Sequence, residues 1–496
     1  MAEQARTTSL AALGLTAQTG ADAQITGLAV DSRAVRPGNL FAALPGTRVH
    51  GGEFIKYALR MGAGAILTDR EGARIARAEL AASGVPLVLA EDAHQALAFT
   101  AALWFGRQPS QIVAVTGTNG KTSVATFLRQ IWTSLDVRAV NLGTTGVEGD
   151  LERPLAHTTP DPITLHGVLA QIAAEGIEHV AMEASSHGLA QRRLDGVQLA
   201  AAGFTNFSQD HLDYHADLDD YYRAKEGLFS RILAQDAPVV ANIDDKRGRR
   251  IASEASLRGQ DVVSVGRDAR ADLRILGQRF DATGQDVRFD WHGAVHMVRL
   301  PMIGGFQADN VMLAAALAIV TGSEAAAVFD SLSHLKTVRG RMQLVAKRNN
   351  GASVFVDFAH TPDAIATALQ ALRPHVIGRL VAVIGAGGDR DPSKRILMGQ
   401  AAADHADVVF VTDDNPRSED PATIRAMIMQ GCPQATEIGD RAEAILRAVD
   451  ALQPGDGLLI AGKGHESGQI IGDDVFPFDD AEQASVAVAA LDGHGL

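Results

Sequence analysis

The sequence predicts an α/β protein built on parallel sheets, and three observations carry that prediction. Apolar runs of strand length alternate with segments of helical apolar spacing along most of the chain. Glycine is plentiful, 49 of 496 residues, while aromatics reach only 5%, a balance suited to many tight strand-to-helix turns. A glycine-rich turn, Gly117-Thr118-Asn119-Gly120-Lys121-Thr122, joins one such strand to one such helix. At ~150 residues per domain the length corresponds to about three domains. The pattern divides them at residues 1–92, 93–338 and 339–496.

In the first unit, residues 25–30, 40–44, 65–68 and 86–90 read as strands, with Pro37-Gly38 as a turn and 54–61 as a helix. Residues 94–105 read as a helix connecting to the next unit. The second unit starts with a strand at 111–116 and a helix at 121–132. Strands at 179–182, 200–205 and 238–241 then continue a buried parallel sheet. Residues 262–300 alternate apolar and polar positions between turn signals, which predicts antiparallel strands at its edge. Residues 312–320 form an apolar helix face. The third unit places strands at 353–357, 379–384, 408–412 and 457–461, separated by helices of the 362–372 and 441–452 type. That pattern is a second doubly wound, Rossmann-like domain.

Composition excludes several functions. The formal charge of −14 argues against nucleic-acid or anionic-membrane partners, which select basic surfaces. One cysteine, Cys432, allows neither an intrachain disulfide nor a Cys-based zinc site. No apolar stretch reaches the ~20 residues that span a bilayer, and residues 1–10 lack a secretory pattern. The expectation is a cytoplasmic protein without membrane insertion.

The 117–122 turn carries the clearest chemistry. Its glycines let several backbone N–H groups converge on an anion, and the amino end of the following helix adds its positive dipole. Lys121 supplies a charge for outer phosphates, and the hydroxyls of Thr122 and Ser123 stand at the helix start, where Thr122 can ligate Mg²⁺. Val115 stands where the longer P-loop spacing has its first glycine. His211 and His215, spaced i and i+4, could be zinc ligands, but no zinc-type framework surrounds them.

The short Gly-Thr-Asn-Gly-Lys-Thr form resembles the signature of the Mur ligase family. Further family-like motifs follow in order: Asp31-Ser-Arg33, Thr158-Thr-Pro160, Met182-Glu-Ala-Ser-Ser-His187, Asp210-His-Leu-Asp-Tyr-His215 and Tyr222-Arg-Ala-Lys225. Then come Gly340-Arg341, Asp357-Phe-Ala-His-Thr-Pro362, Gly387-Gly-Asp-Arg390, Asp414-Asn-Pro-Arg417 and Gly462-Lys-Gly-His-Glu466. The resemblance implies three domains, which bind a uridine substrate, ATP and an amino acid. It implies ATP-dependent addition of meso-2,6-diaminopimelate to a UDP-muramoyl dipeptide through an acyl phosphate, carried out by a monomer on small-molecule substrates.

The resemblance also assigns residues. ATP would be held by Gly117–Ser123 with Asn310, Arg341 and Asp357. Mg²⁺ would be ligated by Thr122, Glu183, His211 and Lys225, the last as a CO₂-derived carbamate. The UDP substrate would meet Val30, Ser32, Thr47, Arg48 and Val49, then Thr158, Thr159, Ser185, Gln191 and Arg193. Diaminopimelate would meet Arg390, Asp414, Asn415, Pro416, Arg417, Gly462 and Glu466. The chemistry suits these types: a guanidinium such as Arg417 grips a second carboxylate as a fork, which lysine as substrate would not offer. The chain departs from the family pattern at Gly305, Gln307 and Phe358, and His50 stands where aspartate is common. The acidic run from Asp210 to Asp220 is expected to be a solvated loop. A lysine-adding relative and a folylpolyglutamate-type ligase are the nearest alternatives, and a nucleotide-hydrolysing switch the alternative from another class.

Overall fold

The computed structural model describes residues 7–47, 49–211 and 214–493. Three sheets organise the chain. The first is parallel, in the order Gly27–Ala29, Asn39–Ala43, Ala65–Thr68, Leu87–Leu89. The expected strand at 25–30 is broken at Thr26, so Gln24–Ile25 pairs instead with Thr8–Ser9.

The central sheet has ten strands. From one edge they run Ala294–Leu300, Gly284–Trp291, Leu273–Asp281, Val262–Gly266, Val239–Asn242, Leu199–Phe204, Gln111–Thr116, His179–Glu183, Ala139–Gly143 and Gly146–Gly149. The Gln111–Thr116 strand is buried almost throughout, and both its neighbours run parallel to it. Such strands, covered on both faces by helices, need apolar residues at successive positions. The chain turns to opposite sides of this strand, so the loop at its carboxyl end sits at a topological switch point, where α/β sheets bind ligands. The helix Lys121–Ser134 follows and packs its Phe127, Leu128 and Ile131 into one core with Val311, Leu313 and Leu317 of the helix Phe306–Val320.

The edge expectation needs one correction. Residues 273–300 form the antiparallel ribbon, but Val262–Gly266 pairs parallel with Val239–Asn242. The helix Lys246–Leu257 supplies the crossover that a parallel pair requires.

The third sheet runs Gln343–Lys347, Ser353–Asp357, Gly457–Ala461, Leu380–Ile384, Val408–Val411, Thr436–Glu437, parallel except for its first pair. Its layers meet the central unit along a packed seam. Ile303 belongs to the same core as Ile365, Leu369 and Leu372, and Phe306 packs against it. Gly304 N donates to His375 Nε2 at 3.1 Å, and His375 Nδ1 lies 2.6 Å from Asp281 O, as one imidazole tautomer satisfies.

Candidate active site

The carboxyl edge of the central sheet and the loops of the third unit enclose one cavity of about 1140 Å³. Thr118 to Ser123, Glu183, Arg193, Lys225, Asn310, Arg341 and Asp357 face it from one side. Arg390, Asp414, Asn415, Arg417, Gly462 and Glu466 face it from the other.

The phosphate-type loop is held from several directions. Thr118 N donates to Asn206 O at 2.9 Å, and Asn119 N to Asn206 Oδ1 at 2.9 Å. Gly120 caps the helix with φ 87°, and a Cβ there would collide with Asn310 Oδ1. Only glycine meets both demands. Lys121 Nζ folds back onto Gly117 O (3.0 Å) and Thr118 O (2.8 Å). Thr122 Oγ1 donates to Glu183 Oε2 at 2.9 Å, and Glu183 Oε1 accepts Thr144 N at 2.7 Å. Glu183 is therefore a buried, oriented carboxylate at the end of its strand.

Lys225 is the most telling residue. It is 1% exposed, and its Nζ donates to Gly117 O at 2.7 Å, the same carbonyl that Lys121 uses. No carboxylate among the described residues lies within ion-pair distance of it. Burial, reinforced by the nearby Lys121 charge, holds the amine well below the usual lysine range. Tyr221 closes the other side, its ring 4.4 Å from Nζ and its hydroxyl donating to Thr118 Oγ1 at 3.2 Å.

His211 faces the same cavity with φ 54°, its imidazole pushed down to about 4 chiefly by burial. It stays neutral at pH 7, the form that ligates metals. His215 is engaged elsewhere, Nδ1 against Asp220 Oδ2 at 3.1 Å. Among the described residues no three His, Cys, Asp or Glu side chains gather into a metal-holding group. The Mg²⁺ set differs in kind, since it relies on a hydroxyl, one carboxylate, one imidazole and a modified lysine. Oriented Glu183 and Thr122 beside a buried amine without an acid fit that set.

The acidic run is not one solvated loop. Asp210 faces the cavity beside His211, Asp217 caps the helix Leu218–Gly227, and Asp219 pairs with Arg247 at 2.6 Å.

Polar residues expected to meet the muramoyl dipeptide form a second cluster. Arg193 donates to Thr159 O (2.6 Å) and, through two nitrogens, to Gln191 Oε1 (2.7 and 3.1 Å). Ser185 Oγ donates to Thr159 Oγ1 at 3.0 Å, and the hydroxyls of Thr144 and Thr158 meet at 3.0 Å. Gln191 braces Arg193 without lining the cavity.

At the opposite end, Asn415 and Arg417 adopt left-handed backbone, φ 42° and 53°. Asparagine adopts this conformation readily, but for Arg417 it is costly and persists where surroundings enforce it. Arg417 Nη1 donates to Gly388 O at 2.8 Å, and no carboxylate pairs with it among the described residues. Asn415 Nδ2 donates to Glu466 Oε2 at 2.8 Å. Pro416 lies in the turn without lining the cavity.

Arg341 packs flat over Phe358 at 4.5 Å and reaches Thr122 Oγ1 at 3.4 Å, so the phenylalanine departure keeps an aromatic platform. Gln307 is fully buried and accepts Asn310 Nδ2 at 3.2 Å. Asp357 accepts Met342 N and Ala359 N, while burial pushes its carboxyl up.

Val30, Ser32, Thr47 and Val49 stay on the first unit's surface, away from the cavity. Arg48 lies outside the described residues. Residues that sequence reasoning missed include Thr144, Asp210 and Lys463. Lys463 sits inside a quoted motif, but nothing local distinguishes a buried lysine from a solvated one.

Family models match the chain in three stretches. They are the Mur ligase family, catalytic domain at residues 24–104, the Mur ligase middle domain at 115–318 and the Mur ligase, glutamate ligase domain at 340–464. The chain is 48% identical over 478 residues to the UDP-N-acetylmuramoyl-L-alanyl-D-glutamate--2,6-diaminopimelate ligase of Caulobacter vibrioides, spanning 95% of this chain and 97% of that one. A protein of the same name from Brucella melitensis is 48% identical over 477 residues, spanning 95% and 96%. A solved structure of a ligase so named superposes with a TM-score of 0.70 at 33% identity, covering 98% of this chain and 99% of that one.

Proposed function

The chain belongs to the Mur ligase family, and we propose that it is the member that joins meso-2,6-diaminopimelate to UDP-N-acetylmuramoyl-L-alanyl-D-glutamate in peptidoglycan precursor synthesis. It is an ATP-dependent, ADP-forming ligase. One observation carries the reading beyond family membership: a single cavity receives the phosphate-type loop from one unit and the 414–417 turn from another. Phosphate and amino acid then meet in one enclosed space.

The D-glutamate carboxylate attacks the γ-phosphorus of ATP, giving an acyl phosphate and ADP. The amine of diaminopimelate then attacks the acyl carbon, forming the amide and releasing phosphate. Neither step needs a protein nucleophile; both need orientation and charge neutralisation. Lys121 and the loop N–H groups take the phosphates, and Arg341 closes on them from the third unit. Asn310, packed against Gly120, and Asp357 hold the base and ribose. Thr158, Thr159, Ser185 and Arg193 receive the sugar and dipeptide, with the uridine reaching out to Val30, Ser32, Thr47, Arg48 and Val49. Arg390, Arg417, Asp414, Asn415, Pro416, Gly462 and Glu466 receive the amino acid.

Thr122, Glu183, His211 and a carboxylated Lys225 would hold Mg²⁺, which when bound offsets phosphate charge. The buried amine of Lys225 favours its neutral form, the form that adds CO₂. The neutral nitrogen gains the N–C bond and releases a proton to solvent, so an uncharged amine becomes an anionic oxygen ligand. The reading places the enzyme in the cytoplasm as a monomer, and no helix among the described residues is long and apolar enough to cross a membrane.

Phosphate release with ATP and UDP-N-acetylmuramoyl-L-alanyl-D-glutamate, varying only the amino acid, tests the reading. Dependence on meso-diaminopimelate is expected. Preference for lysine overturns the specificity, and turnover without either substrate overturns the ligase reading. For Lys225→Ala, activity is expected to vanish and to return in part with bicarbonate or formate. Full activity without rescue removes the carbamate.

A further inference from the structure

Lys463 follows the Gly457–Ala461 strand, is 0% exposed, and does not line the cavity. Its ammonium donates to Gly468 O at 2.5 Å, Gln469 Oε1 at 3.0 Å and Asn415 Oδ1 at 3.2 Å. Those three acceptors use all three of its protons. It also stands 3.9 Å from Asp414 Oδ1 and 3.7 Å from Glu466 Oε2. The groups it ties together come from separate loops, and three of them, Asp414, Asn415 and Glu466, face the cavity.

Asn415 passes the restraint on. Its Oδ1 also accepts Ile470 N at 2.9 Å, while its Nδ2 holds Glu466. The left-handed backbone of Arg417, two residues on, is strained for a residue other than glycine or asparagine and is held by its surroundings. A buried cation beneath that turn, facing two carboxylates from different loops, supplies such a force. It compensates their mutual repulsion when no substrate ammonium is present.

We propose that Lys463 is the positioning residue of amino-acid recognition, fixing the Asp414–Arg417 turn and the Glu466 carboxylate in the geometry that grips the distal amino–carboxylate centre of the substrate. This rests on the reading that this end of the cavity takes diaminopimelate. Lys463 touches no substrate and acts through Asn415, Asp414 and Glu466. Its loss therefore weakens recognition of the amino acid and leaves the ATP and UDP-substrate ends intact.

The test is Lys463→Met in the full-length enzyme, a similar length of side chain without the charge. The Michaelis constant of each substrate is measured by phosphate release. The expected result is a rise of roughly ten- to a hundredfold in KM for meso-diaminopimelate. KM for ATP and for the UDP-muramoyl dipeptide stays within about twofold, and the preference for diaminopimelate over lysine narrows. Should Lys463→Met fail to fold, Gln469→Leu removes one acceptor and keeps the lysine, and a several-fold rise confined to the amino acid is expected. An unchanged amino-acid KM, or equal shifts in all three constants, overturns the proposal. If the wild-type enzyme ignores meso-diaminopimelate, the functional reading fails by itself. The same split of constants is then read on the amino acid that the wild type accepts, and it decides the role of Lys463 independently.

Discussion

The cations of this protein fall into two groups that differ in what faces them. Several buried cations of the third unit come with built-in counter-charges. Arg441 pairs with Asp480 at 2.7 Å, both essentially unexposed; Arg395 grips Glu419 at 2.8 Å; Lys463 sits against Asp414 and Glu466. Among the lysines and arginines lining the cavity Arg395 is the exception, and most of the others have no such partner. Lys121, Lys225, Arg193, Arg341, Arg390 and Arg417 have no carboxylate within ion-pair distance among the described residues. The partners of Lys121, Lys225, Arg193, Arg341 and Arg417 are carbonyls, amides and hydroxyls. The lesson is that a cation with its own acid is scaffold, while a cation without one is kept for an incoming anion. Burying charge without compensation is expensive, so such a group persists where a ligand completes it. The net charge of −14 is thus no obstacle to a protein of anionic substrates, since cations without acid partners converge on the cavity.

Substitution at each kind of cation sharpens or breaks this contrast. Lys121→Met is expected to lower kcat/KM by roughly a thousandfold, since an unpaired cation aimed at phosphate is lost. The same variant should resist urea as well as the wild type or better; a clear loss of stability would place Lys121 among the scaffold cations. Arg441→Met should do the reverse. It leaves Asp480 buried and uncompensated, at about 3–5 kcal/mol of stability measured by urea unfolding of the third unit. Should unfolding be unchanged, the pair is not the scaffold that its geometry describes.

A buried neutral imidazole whose partner is a carbonyl rather than a charge tests the same rule. His166 is 1% exposed and burial pushes it down to about 4, so the unfolded chain takes up a proton that the folded one refuses. Its contribution is present above about pH 6.5 and is lost as pH falls towards about 4, up to roughly 3 kcal/mol. His166→Gln should flatten the acid limb of stability against pH; an unaltered limb would assign acid sensitivity elsewhere. The smallest effect is expected for Arg417→Lys, about a tenfold rise in the diaminopimelate KM with the ATP KM unchanged, because an ammonium cannot form the bidentate fork. Equal effects on both substrates would give Arg417 a different task.

Legibility in the sequence followed burial only in part, since the buried Ala139–Gly143 strand, with Asn141 within it, was not readable. Gln111–Thr116, Ser353–Asp357 and Gly457–Ala461 were readable to the residue, because a strand covered on both faces is a continuous apolar run. The edge strand Gly146–Gly149 and the exposed hairpin of Gly468–Ile471 with Asp474–Pro477 carry no such run and were not readable. In the candidate site, motif order supplied residues but not their relations. That Lys225 has no acid beside it, that Lys463 is buried beneath the 414–417 turn, and that Asp210 leaves its acidic run to face the cavity all depend on distant segments converging. No local pattern encodes that convergence.

The seam at Ile303, Gly304 and Phe306 makes the third unit a borrower. Part of its apolar interior is lent by a segment that precedes it in the chain, and His375 bolts that loan to Asp281. Severing the chain near residue 338 would therefore yield two incomplete pieces, one with a bare apolar plug and the other with an empty socket. The two halves of the cavity thus meet at a packed joint, Ile303 and Phe306 seated in the third unit's core, rather than across a free tether.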